Sequence, residues 1–220
     1  MENIDFILGR VDVTEELDSL KQEEIEKKQE KENERIIKLL NNAGIYSRYH
    51  NASMEDYQDA DIKRKEKRLE ILNNWSKLKK GLPTLVFIGE SGSGKTYLAC
   101  AIGKKALLDG FSVRYIRLEE MMVKNSNKDT RDENTGLLKN VELLILDNLE
   151  SSPLTDFNRS YLKDILDYRY ERELPTILIG GDKISKEDLI SISTYNRMFE
   201  SSMFVKMDKH FNFNSVLRDI

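Results

Sequence analysis

The sequence predicts an α/β fold, a parallel sheet flanked by helices and built around a phosphate-binding loop. Three observations predict it. The first is Gly89-Glu90-Ser91-Gly92-Ser93-Gly94-Lys95-Thr96, which fits G-x-x-x-x-G-K-[ST]. The second is the setting of that loop. A continuous apolar run, Thr84 to Gly89, precedes it, and Leu98, Ala99, Ile102, Ala106 and Leu107 follow it at helical spacing. The third is the return of short apolar runs between helical stretches, the pattern of parallel strands buried on both faces.

The elements follow in order. Residues 1–13 are mixed and carry no clear pattern. Thr14 before Glu15 and Glu16 reads as an N-cap, opening a helix that runs without Gly or Pro to Asn42. Its middle, Lys21 to Arg35, is almost wholly charged, so it is either a solvated helix or an arm for a partner. Gly44 ends it, and Ile45 to Asp56 is irregular, with Tyr46, Tyr49 and His50. A second helix is expected from Tyr57 to Lys80, where Leu69, Leu72, Trp75 and Leu78 form a stripe best explained as core packing. Gly81-Leu82-Pro83 breaks it.

After the loop, the helix from Lys95 to Asp109 closes at Gly110. Strands are expected at Ser112–Leu118, Val141–Asp147, Thr176–Gly181 and Met203–Met207. Helices are expected at Thr155–Arg172 and from Ser185 towards Phe199. The polar run Lys124 to Gly136 reads as a long loop.

Composition narrows the function. A chain of 220 residues fits one domain with an extension. A net charge of −4 gives no global basic field, so any nucleic-acid contact must be local. One cysteine, Cys100, excludes an internal disulfide and a Cys-rich zinc site, and reads as a small packing residue. With His50 and His210 the only histidines, a His-based metal site is not expected. The absence of a signal peptide or long apolar segment predicts a soluble, cytoplasmic protein with no membrane partner.

The chemistry of the loop is that of a nucleotide site. Its backbone N–H groups and the following helix N-terminus form an anion cradle over residues 89–96. Lys95 brings a point charge to the β/γ-phosphates, and the Thr96 hydroxyl is a Mg²⁺ ligand. Asp147, closing the strand Leu144-Ile-Leu-Asp147, is the natural second ligand for that metal.

Residues 31–57 (KENERIIKLLNNAGIYSRYHNASMEDY), the phosphate loop, LLILDN, the block Ile165 to Thr176 and Tyr195-Asn-Arg-Met198 together resemble bacterial replicative helicase loaders of the DnaC/DnaI type and their IstB-like relatives. The likeness covers nearly all of the chain from about residue 30 onward. The phosphate loop alone identifies only the superfamily; the blocks around residues 47–57 and 165–176 point to the loaders. The resemblance implies an AAA+ ATPase at 49–220, lacking a full helical lid, with a helicase-binding helical arm at 1–48. It implies ATP and Mg²⁺ as ligands, and a DnaB-type hexameric helicase, single-stranded DNA and other copies of the chain as partners. By position, Arg169 matches the family's arginine finger and Arg197 its sensor-2 arginine, roles that suit a forked, permanent cation.

Departures from the family pattern matter as much. Asn148 stands where the family carries an acid that polarises the attacking water, and Gly181 stands at the sensor-1 Asn. Glu150 is nearby but is expected to point elsewhere. Tight ATP·Mg²⁺ binding with slow hydrolysis is therefore expected, and Asn148→Glu should raise turnover. Candidates for weak, assembly-dependent DNA contacts are Lys124, Lys128 and Arg131, with Arg114 and Arg117 beside them; a solvated loop explains these residues equally well. Two alternatives to a helicase loader stay open: an IstB-like transposition helper, and an ATP-locked helicase adaptor without useful turnover.

Overall fold

The computed structural model describes residues 2–54, 66, 84–126, 129–150, 155–181 and 202–207. Of the helix expected at Tyr57–Lys80 the described residues hold Glu66, which is helical; the rest of it, with Trp75, and the helix opening at Ser185 lie outside them. So does Arg197.

Helix α1 spans Glu2–Asn42, 41 residues. It begins twelve positions before Thr14, which corrects the N-cap reading. Nothing between residues 2 and 13 stops a helix: there is no proline, and the one glycine, Gly9, costs only about 1 kcal/mol against alanine. Its charged middle is laced by pairs at helical spacing, Lys27 to Glu23 at 3.3 Å, Lys28 to Glu24 at 2.7 Å and Arg35 to Glu32 at 2.9 Å. Each pair contributes roughly 0.3–0.5 kcal/mol. The helix closes with the paired bonds of a Schellman motif, Gly44 N–H to Asn41 O and Ile45 N–H to Leu40 O, both 3.0 Å.

Contacts divide the chain into Met1–Leu39 and Leu40–Ile220. Residues 40–48, expected to be part of the arm, thus belong to the second unit, where Leu40, Ala43 and Ile45 are buried.

In that unit five strands form one parallel sheet: β1 Thr84–Gly89, β2 Val113–Arg117, β3 Leu143–Asp147, β4 Thr176–Gly180 and β5 Ser202–Met207. The order is β2-β3-β4-β1-β5. β1 lies between β4 and β5, with Thr84 opposite Thr176 on one side and Ser202 on the other. Every residue of β3 and β4 is buried, as expected for strands covered on both faces.

α2, Lys95–Leu108, buries Leu98, Ala99, Ile102 and Ala106. The other face of the sheet is covered by three helices, α3 Leu118–Ser126, α4 Arg131–Asn140 and α5 Asp156–Glu171. Their Met121, Leu138, Leu162, Ile165 and Leu166 join Val86, Leu144, Leu146 and Leu178 in one core.

The loop expected at Lys124–Gly136 is instead the end of α3 and the start of α4. Its polar residues bond back onto the chain: Arg131 Nε to Asn125 O at 2.7 Å, Asn134 Nδ2 to Thr130 O at 2.8 Å, and Thr135 Oγ1 to Arg131 O at 2.7 Å. Asp132 and Glu133 sit in the first turn, where acids suit the helix dipole. Polarity here marks the solvent side of a short helix whose buried residue, Leu138, comes late.

Candidate nucleotide-binding site

The phosphate loop leaves the carboxyl end of β1 and enters α2, as its chemistry requires. Gly89 is demanded by packing: its φ is +152°, and a Cβ there would lie 2.0 Å from Met207 O on β5. Gly92 and Gly94 also have positive φ. Lys95 is buried, its ammonium donating to Gly89 O and Glu90 O at 2.7 Å each. The loop backbone thus holds the cation that the phosphates would meet.

Beneath it, Thr96 Oγ1 donates to Asp147 Oδ2 at 2.9 Å, joining the two expected metal ligands. Asp147 is buried and engaged on both oxygens. Oδ2 also accepts from Tyr115 Oη at 2.7 Å, and Oδ1 from Asn148 N at 2.7 Å. A hydroxyl and a carboxylate, both hard oxygen donors at a helix N-terminus, form a set that fits Mg²⁺ sharing its remaining positions with phosphate and water. Burial, with Asp147 alongside, pushes the Tyr115 phenol well above its ordinary range, so it stays a donor. Burial likewise raises the Cys100 thiol, in keeping with a packing role.

Sequence reasoning missed Tyr115, which reaches the site because β2 is the neighbour of β3, with Arg117 opposite Asp147. Only the strand order reveals that. It also missed what the irregular segment after α1 does. The Tyr46 ring meets Tyr115 edge-on at 5.7 Å, Arg117 lies 4.8 Å over it, and its hydroxyl bonds Glu120. Ser53 N donates to Tyr97 Oη at 3.1 Å, and Lys104 Nζ to His50 O at 2.7 Å. Residues 46–53 thus brace β2 and α2.

Asn148 has left-handed backbone, φ 63°, a conformation asparagine tolerates. Its Nδ2 donates to Glu119 Oε1, on α3, at 2.6 Å. A side chain at Gly181 would begin 3.3 Å from Glu150 Oε1, so Glu150 lies against that position.

Arg169 requires a correction. It is fully buried, and its guanidinium donates to the carbonyls of Leu138 (3.0 Å), Lys139 (3.2 Å), Val141 (2.7 Å) and Pro175 (2.6 Å), and to Thr176 Oγ1 (3.0 Å). Its donors are consumed inside the fold, so it is a clamp on α4, β3 and β4 and no finger for a neighbouring subunit. Burial pushes the guanidinium down to about 9, which leaves it charged at neutral pH.

Three of the expected DNA-contact cations have partners within the fold. Arg114 donates to Asn42 O at 3.1 Å, Arg117 covers Tyr46, and Arg131 lies 5.3 Å over Phe157. Lys128 lies outside the described residues. No helix among the described residues is long and apolar enough to cross a membrane.

The family described as IstB-like ATP binding protein matches residues 10–184. The replicative helicase loader DnaC of Buchnera aphidicola is 26% identical over 153 residues, 67% of this chain and 62% of that one. The insertion-sequence ATP-binding protein y4pL of Sinorhizobium fredii is 39% identical over 117 residues, 50% of this chain and 46% of that one. The chain thus spans roughly half to two thirds of the length of these relatives. Among solved structures, a DnaC helicase loader superposes with a TM-score of 0.60 at 22% identity, covering 74% of this chain and 99% of that one, a likeness of fold.

Proposed function

The chain belongs to the IstB-like ATP-binding family, and on that premise we propose that it is an ATP-dependent loader of a hexameric replicative helicase of the DnaB type. The observation that carries the nucleotide half of this reading is the Thr96–Asp147 contact at 2.9 Å beside the phosphate loop. ATP would be held by the loop N–H groups and Lys95, with Mg²⁺ taken by Thr96 and Asp147. The metal would supply charge neutralisation on the phosphates. Arg197 remains the proposed arginine for the phosphates of its own subunit.

The partner half rests on α1 and on likeness to the loaders. Leu17, Leu20, Ile25 and Ile37 are each about half exposed on that helix, apolar residues that a partner's helices would cover. Single-stranded DNA binding, weak and salt-sensitive, and self-association through the ATPase unit complete the proposal. The insertion-sequence relative, more alike over a shorter stretch, supports a second reading, a transposition helper acting on duplex DNA.

Light scattering of the full chain with a DnaB-type helicase, with and without ATP, separates the two. A stoichiometric complex lost in Leu17→Asp/Leu20→Asp supports the loader. No complex under any nucleotide condition, together with ATP-dependent binding of duplex DNA, supports the transposition helper.

A further inference from the structure

The residue after Asp147 is an amide, yet the structure sets a carboxylate against it from another element. Asn148 Nδ2 donates to Glu119 Oε1 at 2.6 Å, while Glu119 Oε2 is buried without a hydrogen-bond partner. A buried carboxylate oxygen left unsatisfied calls for a donor. The register places it: Arg117 is paired with Asp147, so Glu119, two residues on, comes alongside the residues just past Asp147.

The other carboxylates nearby are otherwise employed. Asp147 is engaged on both oxygens by Thr96, Tyr115 and the Asn148 backbone, the part of a metal ligand. Glu120 accepts from the Tyr46 hydroxyl. Glu150 is exposed and lies against Gly181.

We propose that Glu119 is the catalytic carboxylate for ATP hydrolysis in this chain, with Asn148 as the residue that positions it. The inference rests on ATP being the nucleotide, as proposed above. In the step, the oxygen of a water bonds to the γ-phosphorus as the bond from that phosphorus to the β–γ bridging oxygen breaks. ADP leaves with the electron pair, inorganic phosphate forms, and the proton of the water passes to the Glu119 carboxylate and then to solvent. An amide cannot take that proton; a carboxylate tethered by the amide can.

The test uses the full chain as wild type, Glu119→Gln, Glu119→Asp, Glu150→Gln and Lys95→Ala. Affinities for mant-ATP and mant-ADP, thermal melting, and phosphate release with ATP and Mg²⁺ are measured on each. Glu119→Gln should release phosphate roughly 10²–10⁴-fold more slowly. It should bind mant-ATP at least as tightly as wild type, with its preference for ATP over ADP increased, because a negative charge facing the γ-phosphate is gone. Glu119→Asp keeps the buried charge but withdraws it, so a folded protein with intermediate turnover is expected even where Glu119→Gln does not fold. Glu150→Gln should stay within about twofold of wild type. Wild-type phosphate release from folded Glu119→Gln or Glu119→Asp overturns the proposal, as does wild-type release no faster than that of Lys95→Ala despite tight mant-ATP binding. Absence of mant-ATP binding by the wild type overturns the nucleotide reading itself.

Discussion

The two ends of β3 and β4 make opposite uses of buried charge. At their amino ends Arg169 spends its guanidinium on backbone carbonyls, Val141 and Pro175 among them, just before the strands begin. At their carboxyl ends Asp147, Asn148 and Gly181 open towards the phosphate loop and α3. One end is closed by hydrogen bonds to backbone carbonyls; the other carries the side chains proposed to meet the nucleotide. This is the usual division of labour in open α/β sheets, where ligands gather outside the carboxyl ends. An arginine is therefore read by which end of the strand it meets. Position in a motif does not decide it.

The comparison can be broken most sharply at Arg169. Arg169→Ala would strand buried carbonyls and remove the cation they surround, and should cost about 3–5 kcal/mol of stability. Circular dichroism melting checks this. A folded, ATP-binding variant that merely fails to assemble would return Arg169 to the role of finger.

At the opposite end, Lys95→Ala should weaken mant-ATP binding roughly ten- to a hundredfold while shifting the melt far less than Arg169→Ala. Replacing Mg²⁺ with EDTA should weaken ATP binding in the wild type by about tenfold. In Asp147→Ala that dependence should largely vanish. A full Mg²⁺ effect in this variant would remove Asp147 from the metal site.

Asn148→Glu, expected from the sequence alone to raise turnover, has a different outlook once its neighbour is seen. It would press a second carboxylate against Glu119 and exchange a donor for an acceptor. Steady-state phosphate release should not rise, and the melt should fall by an amount worth about 1–2 kcal/mol. The smallest effect belongs to α1: Lys27→Ala, breaking one exposed pair, should change stability by no more than about 0.5 kcal/mol.

These contrasts mark what was legible in the chain. The strands around Phe87, Ile145 and Leu178 announce themselves because burial on both faces permits little but apolar residues. The phosphate loop is legible because its backbone needs dictate its residues. Arg169 was misassigned because sequence position cannot distinguish a guanidinium facing carbonyls from one facing solvent. Glu119 and Tyr115 were invisible for a topological reason: they lie far from Asp147 along the chain, and only a sheet that places β2 beside β3 brings them to it. The helix pair α3–α4 was hidden because its polar residues satisfy their own backbone.

The crowding at Gly89 bears on how this chain can vary over generations. Any substitution there adds a Cβ that would lie 2.0 Å from Met207 O, whether or not a nucleotide ever binds. A descendant that abandoned ATP would still be obliged to keep that glycine so that β5 could remain beside β1. Lys95 has no comparable architectural protection. Of the two motif residues, the lysine is thus the one whose loss or persistence among descendants would record whether the nucleotide is still in use.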